Sequence, residues 1–246
     1  MIRIVAVHTA MALVEPLNKL FKEYLPEVKL NHIADDSLIQ EVIANNAVTP
    51  AVKRRLLAYY NAAADAGADV VFNCCSSVGG VADMGDEIAP VKVFRIDGPM
   101  AEKAVREGKK IGVIATLNTT LEPTVKLLEK KAAEAGVEVE IVNGLADGAF
   151  AAGQSGDKAT HDRLIEEVAK QLADKVDVIV LAQGSMAAME QKLYNARHDR
   201  LTGLYNRDYL YERTRELLEK NPEKNYLIIY ADISDFNTFA EYRESI

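Results

Sequence analysis

The chain has 246 residues, 49% of them hydrophobic and 27% charged, with a formal net charge of −8. That composition supports a real core in one large domain or two small ones, and the acidic balance argues against nonspecific nucleic-acid binding or docking on an anionic membrane. Its only cysteines, Cys74 and Cys75, are adjacent and cannot build a structural disulfide framework, so reduced thiols and a cytoplasmic location are expected. The apolar run over residues 1–17 is interrupted by His8 and lacks a small-residue cleavage site, so it reads as a first buried strand and not a leader. No segment is long enough to span a bilayer.

Residues 3–7 read as a strand ending at His8-Thr9, and 15–24 as a helix with Pro16 in its first turn. A second short strand follows at 28–33, and Asp35-Asp36-Ser37 then offers helix-capping side chains. Thr49-Pro50 opens a long amphipathic helix to about residue 66, where Gly67 stops it. Residues 69–73 form an apolar strand that breaks into Cys74-Cys75-Ser76-Ser77-Val78-Gly79-Gly80, and another strand is expected at 91–96. Alternating strand and helix predicts parallel βαβ units.

A second copy of this pattern begins near Lys110. Residues 111–116 echo 4–9, a helix is expected over 122–135 with Gly136 as its stop, and a strand over 137–142. A helix at 161–173 leads to residues 177–185, which echo the cysteine strand. The fold class expected is α/β: two pseudo-symmetric Rossmann-like lobes with parallel sheets, about 1–105 and 106–189, and a C-terminal α/β fragment over 190–246. Matching strand ends would line the cleft between the lobes, because ligands bind beyond the carboxyl ends of parallel strands.

A thiol at such a strand end, followed by hydroxyls and backbone N–H groups, has the makings of a reactive site, although buried cysteines are also common core residues. Neighbouring strand residues face opposite ways, so one of Cys74 and Cys75 works and the other packs. Ser76-Ser77 and the run Thr116, Leu117, Asn118, Thr119, Thr120 could hold a substrate carboxylate or simply cap helices. His8 stands at a strand end as a donor or acid, and Asp97 could orient a cationic group or cap a turn. His32, His161 and His198 read as structural or surface residues. No zinc spacing, phosphate-binding loop, dinucleotide fingerprint or serine-hydrolase elbow is present, so neither metal nor organic cofactor is expected.

Together Val7-His8-Thr9, Asn73-Cys74-Cys75-Ser76-Ser77-Val78-Gly79, Arg95-Ile96-Asp97-Gly98-Pro99-Met100, Ile114-Ala115-Thr116, Thr119-Thr120-Leu121-Glu122-Pro123 and Leu181-Ala182-Gln183-Gly184-Ser185-Met186 resemble the aspartate/glutamate racemase superfamily. The resemblance covers about the first 190 residues. It implies a cleft between two lobes and cofactor-independent proton transfer at a carbon next to a carboxylate, typically with one cysteine from each lobe. On that pattern Cys75 is the base, with His8, Thr9, Ser76, Ser77, Asp97, Thr116, Asn118, Thr119, Gly184 and Ser185 around a small carboxylate. The second-lobe cysteine position matches Gly184, although the internal repeat could also choose Gln183; neither is a thiol. A non-catalytic small-molecule sensor is therefore the rival reading. A homodimer is the assembly considered, with no nucleic acid or membrane as partner.

Residues 198–207 and 227–236 resemble the start of a GGDEF diguanylate cyclase domain, in which Asp232 matches a metal-binding aspartate. The glycine-rich loop of that family is not in the chain, so no cyclase activity is expected of it.

Overall fold

The computed structural model describes residues 1–195, together with Arg215 and Glu219. Met1–Leu193 form one compact unit and Tyr194–Ile246 a second. The tail features expected at 198–207 and 227–236, His198 and Asp232 among them, lie outside the described residues.

The first lobe is a parallel sheet of four strands in the order β2-β1-β3-β4. These are β1 (Arg3–His8), β2 (Lys29–Ala34), β3 (Val70–Asn73) and β4 (Lys92–Arg95). The helices α1 (Val14–Tyr24), α2 (Ser37–Asn45), α3 (Pro50–Asp65) and α4 (Gly79–Ile88) connect and cover them. Thr49 caps α3 by accepting the Val52 N–H, and Pro50 occupies the first turn, where its missing N–H costs nothing. At the other end the chain passes Gly67 with φ of +81°, a backbone state open to glycine. Val5, Val7, Leu38, Val42, Leu56, Tyr60 and Val71 close one face of the sheet. Burying each such Val or Leu stabilises the fold by roughly 1.5–3 kcal/mol. On the opposite face, under α1, lie Ala6, Leu17 and Cys74.

α5 (Gly98–Glu107) then leads into a second parallel sheet, ordered β6-β5-β7: β5 (Lys110–Ala115), β6 (Glu140–Leu145) and β7 (Val178–Leu181). It is covered by α6 (Asn118–Ala135), α7 (Ala149–Gln154) and α8 (Lys158–Leu172), and α9 (Ala187–Asn195) follows β7. Ala101, Ala104 and Val105 of α5 are buried with Ile111, Val113 and Leu128, so a division of the lobes near residue 105 falls inside a helix of the second lobe's core.

The internal repeat is exact in its hydrogen bonds. Asp69 N–H donates to the Arg3 carbonyl while Arg3 N–H donates to the Asp69 carboxylate; Asp177 and Lys110 make the same pair in the second lobe. At the carboxyl ends, Cys74 N–H donates to Val7 and Ala182 N–H donates to Ile114. This register equates His8 with Ala115, Thr9 with Thr116, and Cys75 with Gln183. Among the described residues no helix is long and apolar enough to cross a membrane.

Candidate active site at the strand ends

β3 ends at Asn73, and a single tight helical turn, Ser76–Val78, joins it to α4. Cys75 precedes that turn in extended conformation, φ −138° and ψ 117°. Asn73 fixes it from below: its amide donates to the Cys75 carbonyl at 2.9 Å and accepts the buried Tyr60 hydroxyl at 3.1 Å. Tyr60 lies so close over Gly85 of α4 that a Cβ there would stand 2.5 Å from its ring.

The two thiols diverge as strand alternation requires. Cys74 sits under α1, and burial, with Cys75 beside it, pushes its pKa up to about 12. Cys75 packs on the other face, against the core containing Val7 and Val78. Desolvation raises its pKa, opposed by the Thr9 hydroxyl, the backbone N–H groups of Ser77 and Val78, and the Ser77 hydroxyl. These are the donors that favour a thiolate in a half-buried site.

Ser77 also crosses to the second lobe, where its Oγ stands 2.7 Å from Thr120 Oγ1 of α6. When Ser77 gives its proton to the sulfur, Thr120 is the donor in that pair. Around the first turn of α6, Thr116, Asn118 and Thr119 line a cavity of about 140 Å³ with Asn46 and Asp147. Thr119 Oγ1 is buried with no partner among the described residues. Helix starts of this kind favour anions. The structure begins α6 at Asn118 and not at residue 122, directly after the extended Leu117 with φ −139° and ψ 138°.

At the end of β7, Gln183 opens an equivalent turn, Gly184–Met186, with φ −138° and ψ 140°. Its side-chain carbonyl accepts the Thr116 N–H at 2.6 Å and the Thr116 hydroxyl at 2.9 Å. The repeat thus settles the register that the sequence leaves open: Gln183, and not Gly184, stands where the first lobe has Cys75. Gly184 instead receives Leu13 of the first lobe, and a Cβ there would come within 2.8 Å of it. Ser185 is exposed.

Two expected site residues are occupied elsewhere. Asp97 binds a cation, but that cation is Arg95: the pair is bidentate, with both bonds at 2.9 Å. Arg95 also donates to Asp83 at 3.2 Å and to the Pro123 carbonyl of α6 at 3.4 Å. A Cβ on Gly79 would overlap its guanidinium at 2.3 Å, so glycine is required where α4 starts. His8 shares the α1 side with Cys74. Its Nε2 lies 2.9 Å from His32 Nδ1, and His32 Nε2 lies 3.0 Å from Asn18 Oδ1. Because the Asn18 oxygen only accepts, each histidine donates through Nε2, and His8 Nδ1 is a buried lone pair without a partner. Burial, and His32 next, lower the His8 pKa to about 4. His161 is buried against Asp162, 2.9 Å from its carboxylate. Sequence reasoning gave no role to Asn73 or Arg95 and no cross-lobe partner to Thr120, because these depend on contacts across strands and lobes; only the repeat offered a signal for Gln183. Among the described residues no group of three or more His, Cys, Asp or Glu is arranged to hold a metal ion.

No curated protein sequence matches the chain. Solved structures share its fold. An aspartate racemase from Picrophilus torridus superposes with a TM-score of 0.62 at 14% identity, over 79% of this chain and 87% of that one. An allantoin racemase from Klebsiella pneumoniae gives 0.56 at 17% identity, over 93% and 97%. A glutamate racemase from Francisella tularensis, in complex with D-glutamate, gives 0.62 at 13%, over 100% and 94%. The family profile for a diguanylate cyclase GGDEF domain matches residues 196–243. The profile described as Asp/Glu/Hydantoin racemase matches residues 2–199, and the chain belongs to that family.

Proposed function

We propose that the chain catalyses cofactor-independent proton transfer at the carbon next to a carboxylate, with Cys75 as the single base. The observation that carries this reading is the position of Cys75, extended just before the Ser76–Val78 turn at the end of β3, with the Thr9 and Ser77 hydroxyls and the Ser77 and Val78 N–H groups favouring its thiolate. The Cys75 thiolate removes the α-proton, and the C–H electron pair moves into the bond to the carboxylate, giving an enediolate. The thiol then returns the proton, or a solvent deuteron, to the same carbon and restores the thiolate. The first turn of α6 would hold the carboxylate, with Thr119 Oγ1 as a donor. Gln183 cannot take or give a proton at the opposite face, since an amide does not titrate. The reaction is therefore exchange with retention more than inversion, on a small amino acid or related acid.

The test is incubation with aspartate, glutamate and 2-substituted malonates in deuterated buffer, following deuterium uptake in all of them and optical rotation in the two amino acids. Exchange that outpaces inversion and vanishes in Cys75→Ala supports the assignment; equal rates of exchange and inversion would reveal a second base.

Gln183 in the second thiol's place, together with the GGDEF match, favours a second reading: a sensor that binds a small carboxylate without turning it over. Saturable binding by titration calorimetry, with no deuterium uptake in any acid of the panel, would select it.

A further inference from the structure

A second cavity, of about 430 Å³, is lined by Ser77, the residue that bonds Thr120 of the second lobe. That volume is in the range of small-molecule sites. Its walls come from both lobes: Val81 and Met84 of α4, and Pro123 and Leu127 of α6. Its lining carries four cations, Lys53, Arg95, Lys126 and Lys130, against two carboxylates, Asp83 and Glu122. In a chain with a net charge of −8 this runs against the general sign. Arg95 and Lys130 are held by Asp83, and Lys126 by Glu122, whereas Lys53 has no partner among the described residues. An apolar wall with a cationic rim is complementary to an anion carrying an apolar body.

Ser77 and Val78 line this cavity as well as holding the Cys75 sulfur. We infer that the cavity is a second ligand site, for a small amphipathic anion, and that its occupant acts on Cys75 through the turn Ser77–Val78. An occupant seated between α4 and α6 touches both lobes beside the Ser77–Thr120 bond. It would hold that bond closed and keep reagents from the thiol. Nothing in this depends on whether Cys75 performs proton transfer.

The experiment uses the full chain and anilinonaphthalene sulfonate as the anionic probe, with uncharged N-phenylnaphthylamine as its control. The sulfonate should bind with one-to-one stoichiometry by calorimetry and more tightly than the uncharged amine. Lys53→Glu and Lys126→Glu should each weaken it about tenfold, the loss expected for one charge-assisted contact. Lys103→Glu, the same charge change at an exposed position of α5, should not. In a Cys74→Ala background, saturating sulfonate should slow alkylation of Cys75 by iodoacetamide about fivefold or more, within the usual span of coupling between sites. Unchanged affinity in Lys53→Glu and Lys126→Glu, or equal binding of the uncharged amine, would overturn the site. An alkylation rate that saturating probe leaves unchanged would overturn the link to Cys75.

Discussion

The ends of β3 and β7 are one piece of architecture built twice. In each, an extended residue precedes a single helical turn, and a threonine from the neighbouring central strand donates its hydroxyl to that residue's side chain. In the first lobe the threonine is Thr9 and the acceptor is sulfur. In the second it is Thr116 and the acceptor is the Gln183 carbonyl. The amide oxygen takes the place of the sulfur and keeps the threonine hydroxyl as its donor while giving up its proton chemistry. The comparison teaches that a turn can retain its donors after its titrating group has gone, so backbone likeness alone does not report reactivity.

The largest effect should come from removing the group that distinguishes the two turns. Cys75→Ala should lower α-hydrogen exchange about 10²–10⁴-fold, as expected for a positioned general base, whereas Cys74→Ala should change stability more than rate. Loss of exchange in Cys74→Ala alone would reverse the roles of the two thiols. Because desolvation raises the Cys75 pKa, the wild-type rate should climb about tenfold per pH unit through neutrality, following the thiolate fraction. A flat profile would break the comparison by showing a base other than sulfur.

A second difference is the fourth strand, which among the described residues only the first lobe has. β4 brings Arg95 beneath Gly79, with its side chain and that of Asp97 each 7% exposed. Asp97→Ala leaves that guanidinium short of its bidentate partner and should cost about 3 kcal/mol or more in denaturant unfolding. Arg95→Met with Asp97→Leu should recover part of the loss, since two apolar groups leave no buried charge behind. A cost no larger than that of an exposed ion pair would show that the network is solvated.

His8 marks a third difference, because its counterpart is Ala115. Its pKa falls from 6.5 in the unfolded chain to about 4 in the native one, so the unfolded chain binds the proton first as pH falls. Stability is therefore complete above pH 6.5 and lost as pH drops towards 4, by about 3 kcal/mol in all. His8→Phe should flatten that part of the stability profile. A slope that survives the substitution would assign the loss to another group.

The smallest effect sharpens the comparison directly. Gln183→Cys should restore a thiol opposite Cys75, with Thr116 already placed to donate to it, and raise inversion relative to exchange by about tenfold, a transition-state gain near 1.4 kcal/mol. Gly184→Cys should give no such gain, since its side chain would meet Leu13. An equal response at both positions would refute the register drawn from the repeat.

How much of this could be read from residues depended on the range of the interactions. The strands and long helices were legible because burial imposes their periodicity, and Thr49-Pro50, Gly67 and Gly136 marked helix ends through local backbone preferences alone. The opposed orientations of Cys74 and Cys75 followed from the two-residue period of a strand. α4 was hidden because it opens with Gly79-Gly80, which read as a loop; the first of these glycines is needed for Arg95, sixteen residues away. Asp97 was legible as a partner for a cation but not as a partner for Arg95, because that pairing depends on how the turn after β4 folds back. The choice between Gln183 and Gly184 required the hydrogen-bond register of β5 and β7, which no linear spacing contains.

The carboxylates of Asp69 and Asp177 stand at the far end of both sheets from the thiol. Each pins the start of a strand to its neighbour, Arg3 N–H to Asp69 at 2.7 Å and Lys110 N–H to Asp177 at 2.8 Å. A strand that slips by one residue turns every side chain to the other face. In β3 a slip one way would put Cys75 in the place of Cys74, under α1, and leave Ser76 where the working thiol belongs. A slip the other way would put Cys74 in the working position with no change of residue type there, and the Asp69 anchor opposes both. The selection between adjacent thiols is thus supported from the opposite edge of the fold, by a residue at the far end of the strand.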